Sequence, residues 1–212
     1  MVEFISSRWT DILFKAYQHA SLVIQSVAIA TIIALAVAVL VTRYSKLAPF
    51  ANAFSAIGLT LPSFALLGLL IPLMGIGTMP AVLAVVFYAA LPILRNAVVG
   101  LQAVDPVLVE SARGQGMGAL ETFFKVEFPL AWPVIMTGIR VSTQMSMGVA
   151  AIAAYVLGPG FGSYIFRGLA QAGGQNAMYY AIVGTVGVVI VALIVDAALI
   201  LLGRITTSKG IR

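Results

Sequence analysis

The chain has 212 residues, 61% of them hydrophobic and only 9% charged, with a mean hydropathy of +1.08 and a formal net charge of +5. Soluble domains carry about 25% charged residues, so these figures exclude an ordinary globular domain and describe an integral membrane protein. There is no cysteine for a disulfide framework or thiolate site, the single histidine, His19, cannot build a metal centre alone, and the basic residues flank apolar runs as topology signals rather than forming a nucleic-acid patch.

Met1 to Ala20 is mixed and polar, and Trp9, Phe14 and Tyr17 give it the character of an interfacial segment. It lacks the small-residue cleavage site of a signal peptide. The first membrane span is predicted over 22–41, since about 20 apolar residues cross a bilayer. Ala30, Ala34 and Ala38 recur every four residues, a stripe suited to close helix packing. Arg43, Lys46 and Pro49 follow. A second span is predicted over 51–73, interrupted by Pro62, and a third over 81–99, with Pro92, Arg95 and Asn96 near its end. Aromatic residues at Phe54, Phe64, Phe87, Tyr88 and Tyr155 either pack in the core or line a pathway attractive to a cation.

The run from Val104 to Arg140 breaks this apolar pattern. It holds four of the seven acidic residues and three of the twelve basic ones. Charges at the bilayer centre cost several kcal/mol, so the stretch 105–128 is predicted to sit in water or against a soluble partner. Asp105-Pro106 reads as a helix start, with Asp as N-cap and Pro at the first helical position. Val107, Leu108, Ser111 and Ala112 fall on one face, and Glu110 and Arg113 are spaced to pair. Gly114, Gly116 and Gly118 end that helix. A second short helix over 119–126 carries Glu121 and Lys125 at i,i+4, and Pro129 is expected to stop it before re-entry at Trp132 and Pro133. The expected product is a pair of short helices presenting small side chains to a groove on another protein.

A fourth span is predicted over 133–157 and a fifth over 179–202, with Gly184 and Gly187 for packing. Between them lie the turn Gly158-Pro159-Gly160-Phe161-Gly162 and a short amphipathic helix over 163–172 carrying Arg167. With the polar loop inside, nine basic residues (Arg43, Lys46, Arg95, Arg113, Lys125, Arg140, Arg204, Lys209, Arg212) face the cytoplasm against three (Arg8, Lys15, Arg167) outside. That asymmetry predicts the N-terminus out and the C-terminus in. Arg140 and Asp196 each fall about eight residues inside their spans, roughly 12 Å deep at 1.5 Å per residue. Unpaired charges at that depth are costly, so the two are expected to form a buried pair, serving either as a packing clamp or as a latch between transport states.

Glu110-Ser111-Ala112, Gly116 and the Phe128-Pro129-Leu130 end together resemble the EAA loop of ATP-binding cassette importer permeases, with Ser111 where that family usually has alanine. The turn at 158–162, Ile165-Phe166-Arg167-Gly168, Leu61-Pro62-Ser63-Phe64, the run 71–77, Leu91-Pro92-Ile93-Leu94-Arg95-Asn96 and the run 124–130 are similar to the osmoprotectant (glycine betaine, choline, carnitine) branch. The resemblance covers about residues 20–205. Methionine uptake permeases are the nearest competing branch. The resemblance implies an all-α membrane protein of five transmembrane helices with the type I importer permease (MetI-like) fold, a single permease domain over 1–212. It implies that Glu110, Ser111, Ala112, Arg113, Gly114, Gly116 and Met117 form the ATPase-coupling segment. It implies a second permease subunit, two ATPase subunits and an extracytoplasmic substrate-binding protein as partners in a bacterial or archaeal cell membrane. The chain carries no nucleotide-binding motif, so the expectation is that it binds no cofactor and that ATP-Mg belongs to the partner ATPase. A channel or scaffold with a regulatory loop is the alternative from a different class.

Overall fold

The computed structural model describes residues 1–207 and is helical. Lys209 and Arg212, counted above on the inner side, lie outside the described residues. After a short α1 (Val2–Ser6), α2 runs unbroken from Trp9 to Arg43. At 35 residues it is about 50 Å long, longer than a hydrocarbon core of about 30 Å. The segment read as a separate interfacial piece is therefore continuous with the first span, because nothing between Trp9 and Leu22 breaks the helix. The expected second span is two helices, α3 (Ala48–Thr60) and α4 (Ser63–Met74), meeting at 94°. Leu61 and Pro62 are both extended at the break (ψ 129° and 130°), since the residue before a proline is driven out of the helical region. The Tyr88 hydroxyl donates to the Leu61 carbonyl at 2.6 Å, giving a partner to a group the break has freed.

α5 (Thr78–Gln102) and α8 (Phe128–Ile152) form the centre with α2, and α10 (Ala177–Thr206) packs on their flank with α9 (Gly162–Ala170). The alanine stripe of α2 is buried in one cluster with Ala89, Ile93 and Ala97 of α5 and Ile135 and Ile139 of α8. Small residues let the axes approach: a Cβ on Gly138 would come within 2.6 Å of Asn96, and one on Gly187 within 2.6 Å of the Phe161 ring. At the end of the bundle away from Arg43, the chain folds back through Gly160. There φ is +113° and the backbone lies against His19.

Among the described residues, three helices (α2, α5, α10) are long and apolar enough to cross a membrane, and up to four spans result if the bent α3–α4 pair counts as one. α8, expected as the fourth span, has the length but falls outside that set. It carries Arg140, Ser142, Thr143, Gln144 and Ser146. Two of these polar groups are satisfied by backbone: Ser142 donates to the Ala89 carbonyl of α5 at 2.7 Å, and Thr143 to the Ile139 carbonyl at 2.8 Å. A helix held between two others needs less apolar surface than one bathed in lipid.

Candidate functional site

The polar excursion joins α5 to α8. Asp105 caps α6 (Pro106–Gly114) by accepting from the Val107 N–H at 2.9 Å, with Pro106 in the first turn. The helix ends in a Schellman motif: Gly116 N–H donates to the Arg113 carbonyl at 2.9 Å and Met117 N–H to the Ala112 carbonyl at 3.2 Å. Gly116 sits at φ +89°, a region disfavoured for side-chain-bearing residues, with nothing within 4 Å of where a Cβ would project. Gly114 and Gly118 have ordinary φ values and equally open surroundings.

From Gly118 the chain enters α7 (Ala119–Thr122) and then a π-helical turn over Phe123–Glu127 that runs directly into α8. Pro129 therefore does not stop a helix. It lies in the first turn of α8, where its fixed φ is compatible with the helix. Lys125 donates to Glu121 at 2.6 Å, and this contact holds the exposed Glu121 carboxyl below its ordinary range. Among the described residues, Glu110 and Arg113 form no ion pair: both stand exposed toward solvent.

The face offered outward differs from the expectation of small side chains. Ala112 turns inward, while Val107, Leu108, Leu120 and Phe124 are exposed beside Glu110, Ser111 and Arg113. Exposed apolar side chains beside charged ones fit a protein surface. The loop is rooted in the bundle. Arg43, at the end of α2, reaches Glu127 at 3.5 Å and lies 5.9 Å from the Phe123 ring centroid. Phe123, Phe128 and Trp132 stack in series, and Trp132 Nε1 donates to Thr206 Oγ1 of α10 at 2.8 Å. Sequence reading took Arg43 as a topology signal only and had no means of linking Trp132 to Thr206.

Arg140 and Asp196 meet across α8 and α10 in a two-pronged contact, Nε to Oδ1 at 3.0 Å and Nη2 to Oδ2 at 3.1 Å. The pair was expected to be buried. In the single chain the side chains are 36% and 18% exposed, because Arg140 lies on the side of α8 turned away from α5 and α2. The aromatics divide into two groups. Phe64 and Tyr155 join Phe166, with centroids 5.5 to 6.5 Å apart, and Phe54, Phe87 and Tyr88 form a second edge-to-face series. Phe166 belongs to the Ile165–Gly168 run named above but not to the aromatics grouped there.

Among the described residues, a helical membrane unit whose polar excursion is a rooted pair of short helices has the architecture of a transport-system membrane component. Residues 27–206 match the family described as binding-protein-dependent transport system inner membrane component, and the chain belongs to that family. It is 40% identical over 212 residues to the glycine betaine/carnitine/choline transport system permease protein OpuCB of Bacillus subtilis (strain 168), covering 100% of this chain and 96% of that one. It is 39% identical over 212 residues to the choline transport system permease protein OpuBB of the same organism, again covering 100% and 96%. The osmoprotectant import permease protein OsmW of Salmonella typhimurium is 39% identical over 201 residues, 92% of each chain. Among solved structures, a chain of the MetNI methionine ABC transporter in inward-facing conformations superposes with a TM-score of 0.78 over 93% of this chain and 96% of its own, at 23% identity. That likeness defines the fold.

Proposed function

We propose that the chain is the permease subunit of an ATP-driven, binding-protein-dependent importer of quaternary-amine osmoprotectants such as glycine betaine, carnitine or choline. The observation that carries the transport reading is the loop at 105–128: an exposed apolar patch (Val107, Leu108, Leu120, Phe124) tied through Arg43–Glu127 and Trp132–Thr206 to the ends of α2 and α10. A partner seated on that patch can pull on three helices at once. The substrate class rests on the end-to-end relation to permeases named for those solutes.

In this reading Glu110, Ser111, Ala112, Arg113, Gly114, Gly116 and Met117 form the segment that couples to an ATPase subunit, with Ala112, Arg113, Gly116 and Met117 fixing the turn. Two permease subunits enclose the path, two ATPase subunits bind ATP-Mg below, and a substrate-binding protein delivers solute from outside. Counting α3 with α4 and including α8 gives five spans in the cell membrane, N-terminus out and C-terminus in. ATP binding draws the two loops together and opens the pair outward; hydrolysis returns it and releases solute inward. The test is accumulation of labelled glycine betaine and choline in vesicles holding this chain with its ATPase and binding protein. ATP-dependent accumulation supports the reading, ATP-dependent uptake of another solute alone replaces the substrate, and flux indifferent to ATP refutes the importer.

A further inference from the structure

The side of α8 turned away from the core is mixed, with polar side chains set among the exposed Val141 and Met145. Thr137 and Gln144 are exposed on it and Arg140 is half-exposed, three and four residues apart and so on one face. On α10 the outward residues include Ile190, Leu193, Ile194 and Leu201, as expected against hydrocarbon. A charge pair at mid-depth would not be left in lipid, so the α8 face borders water or protein. Two grooves run beside it. One, of about 250 Å³, is lined by Arg140 with Pro133, Thr137, Leu199 and Gly203 toward the loop end. The other, of about 310 Å³, is lined by Asp196 with Gln144, Gly148, Val188 and Ala192. The ion pair links the two grooves, Arg140 lining the first, which Arg204 also lines, and Asp196 lining the second.

We propose that Arg140 and Asp196 are a charge-exchange site on the solute path, opened by a zwitterion whose carboxylate takes the Arg140 fork and whose quaternary ammonium takes Asp196. This rests on the osmoprotectant reading above. The two-pronged geometry at 3.0 and 3.1 Å is the one a guanidinium makes with any carboxylate. The incoming carboxylate therefore replaces the bonds it breaks. A quaternary ammonium donates no hydrogen bond and needs only proximity to the freed Asp196 charge. Pair and zwitterion are each neutral, so the exchange carries no net charge into the membrane. Glycine betaine and carnitine have both halves of this match. Choline has only the cation, and leaves Arg140 without a partner when it displaces it.

The experiment is ATP-driven uptake of glycine betaine and of choline, measured in the same proteoliposomes holding this chain with its ATPase and binding protein. For Arg140→Gln the ratio of glycine betaine to choline uptake is expected to fall at least tenfold, and for Asp196→Asn both rates are expected to fall at least tenfold. Because the ratio is read within one preparation, a smaller amount of folded protein divides out; Arg140→Lys, which keeps the charge and loses the fork, is expected to lower the ratio in the same direction. A parallel fall of both solutes in the Arg140 variants, the signature of a packing clamp or an interface between copies, overturns the exchange, as does an unchanged ratio. Wild-type protein that accumulates choline but not glycine betaine overturns it alone. Wild-type protein that accumulates neither overturns the osmoprotectant reading and the exchange with it.

Discussion

Substituting Gly116 separates backbone conformation from every other property of the loop. Its φ of +89° and the open space around it mean that Gly116→Ala adds no clash and changes only the backbone preference. A left-handed conformation costs a non-glycine residue roughly 1–2 kcal/mol, which is a factor of about 5–30 in the equilibrium between the native turn and a relaxed one. Gly116→Pro goes further. It fixes φ near −65° and removes the N–H that donates to the Arg113 carbonyl at 2.9 Å, so the Schellman turn cannot form. If the turn aims the docking patch, uptake by the reconstituted importer should fall several-fold for Gly116→Ala and be lost for Gly116→Pro, with normal membrane insertion in both. Gly118→Ala, at ordinary φ and in equally open space, should leave uptake near the wild-type rate. Equal effects at Gly116 and Gly118, or full uptake with Gly116→Pro, would refute the turn as the element that sets coupling.

Tyr164 Oη donates to Asp11 at 2.6 Å, and burial together with this contact pushes the phenol above its ordinary range; Tyr164→Phe should destabilise the end of the bundle remote from the loop by about 1–2 kcal/mol, read from the thermal midpoint in detergent. Gly187→Val forces a Cβ to 2.6 Å from the Phe161 ring and should cost about 1–3 kcal/mol by the same measurement, whereas Gly148→Ala, with nothing within 4 Å, should be tolerated. Because Lys125 lowers the Glu121 pKa in the folded loop, its contribution is present at neutral pH and is lost as pH falls through that lowered value. Any difference in thermal midpoint between wild type and Glu121→Gln should therefore vanish in acid and, the pair being exposed, be small at pH 7.

Local chemistry carried the legible part of the fold. Apolar runs located α2, α5 and α10, the alanine stripe of α2 faces the core, Asp105-Pro106 starts a helix and Glu121 pairs with Lys125. What failed to show depends on partners distant in sequence or on angles. Pro62 marked a break but not its 94°, nor the Tyr88 hydroxyl that donates to the Leu61 carbonyl there. Pro129 was read as a terminator because the π-helical turn that carries the chain past it has no periodicity of its own. At the loop, the glycine cluster held the turn residue Gly116, but Gly114 stays within α6, and the pairing of Arg43 with Glu127 joins elements that only packing brings together. The exposure of Arg140 likewise follows from which side of α8 the bundle covers.

The wide turn at Phe123–Glu127 has a consequence for how this protein tolerates change in length. An α-helix advances about 100° per residue, and a π-helical turn holds one residue more than the helix around it needs. Deleting a single residue there would let α7 and α8 join as one regular helix while swinging Leu120 and the α6 patch by about a quarter-turn relative to Trp132 and Thr206. The compass bearing of the loop is thus set by a residue count, and homologous permeases that share an ATPase should differ in side chains across this segment more freely than in its length.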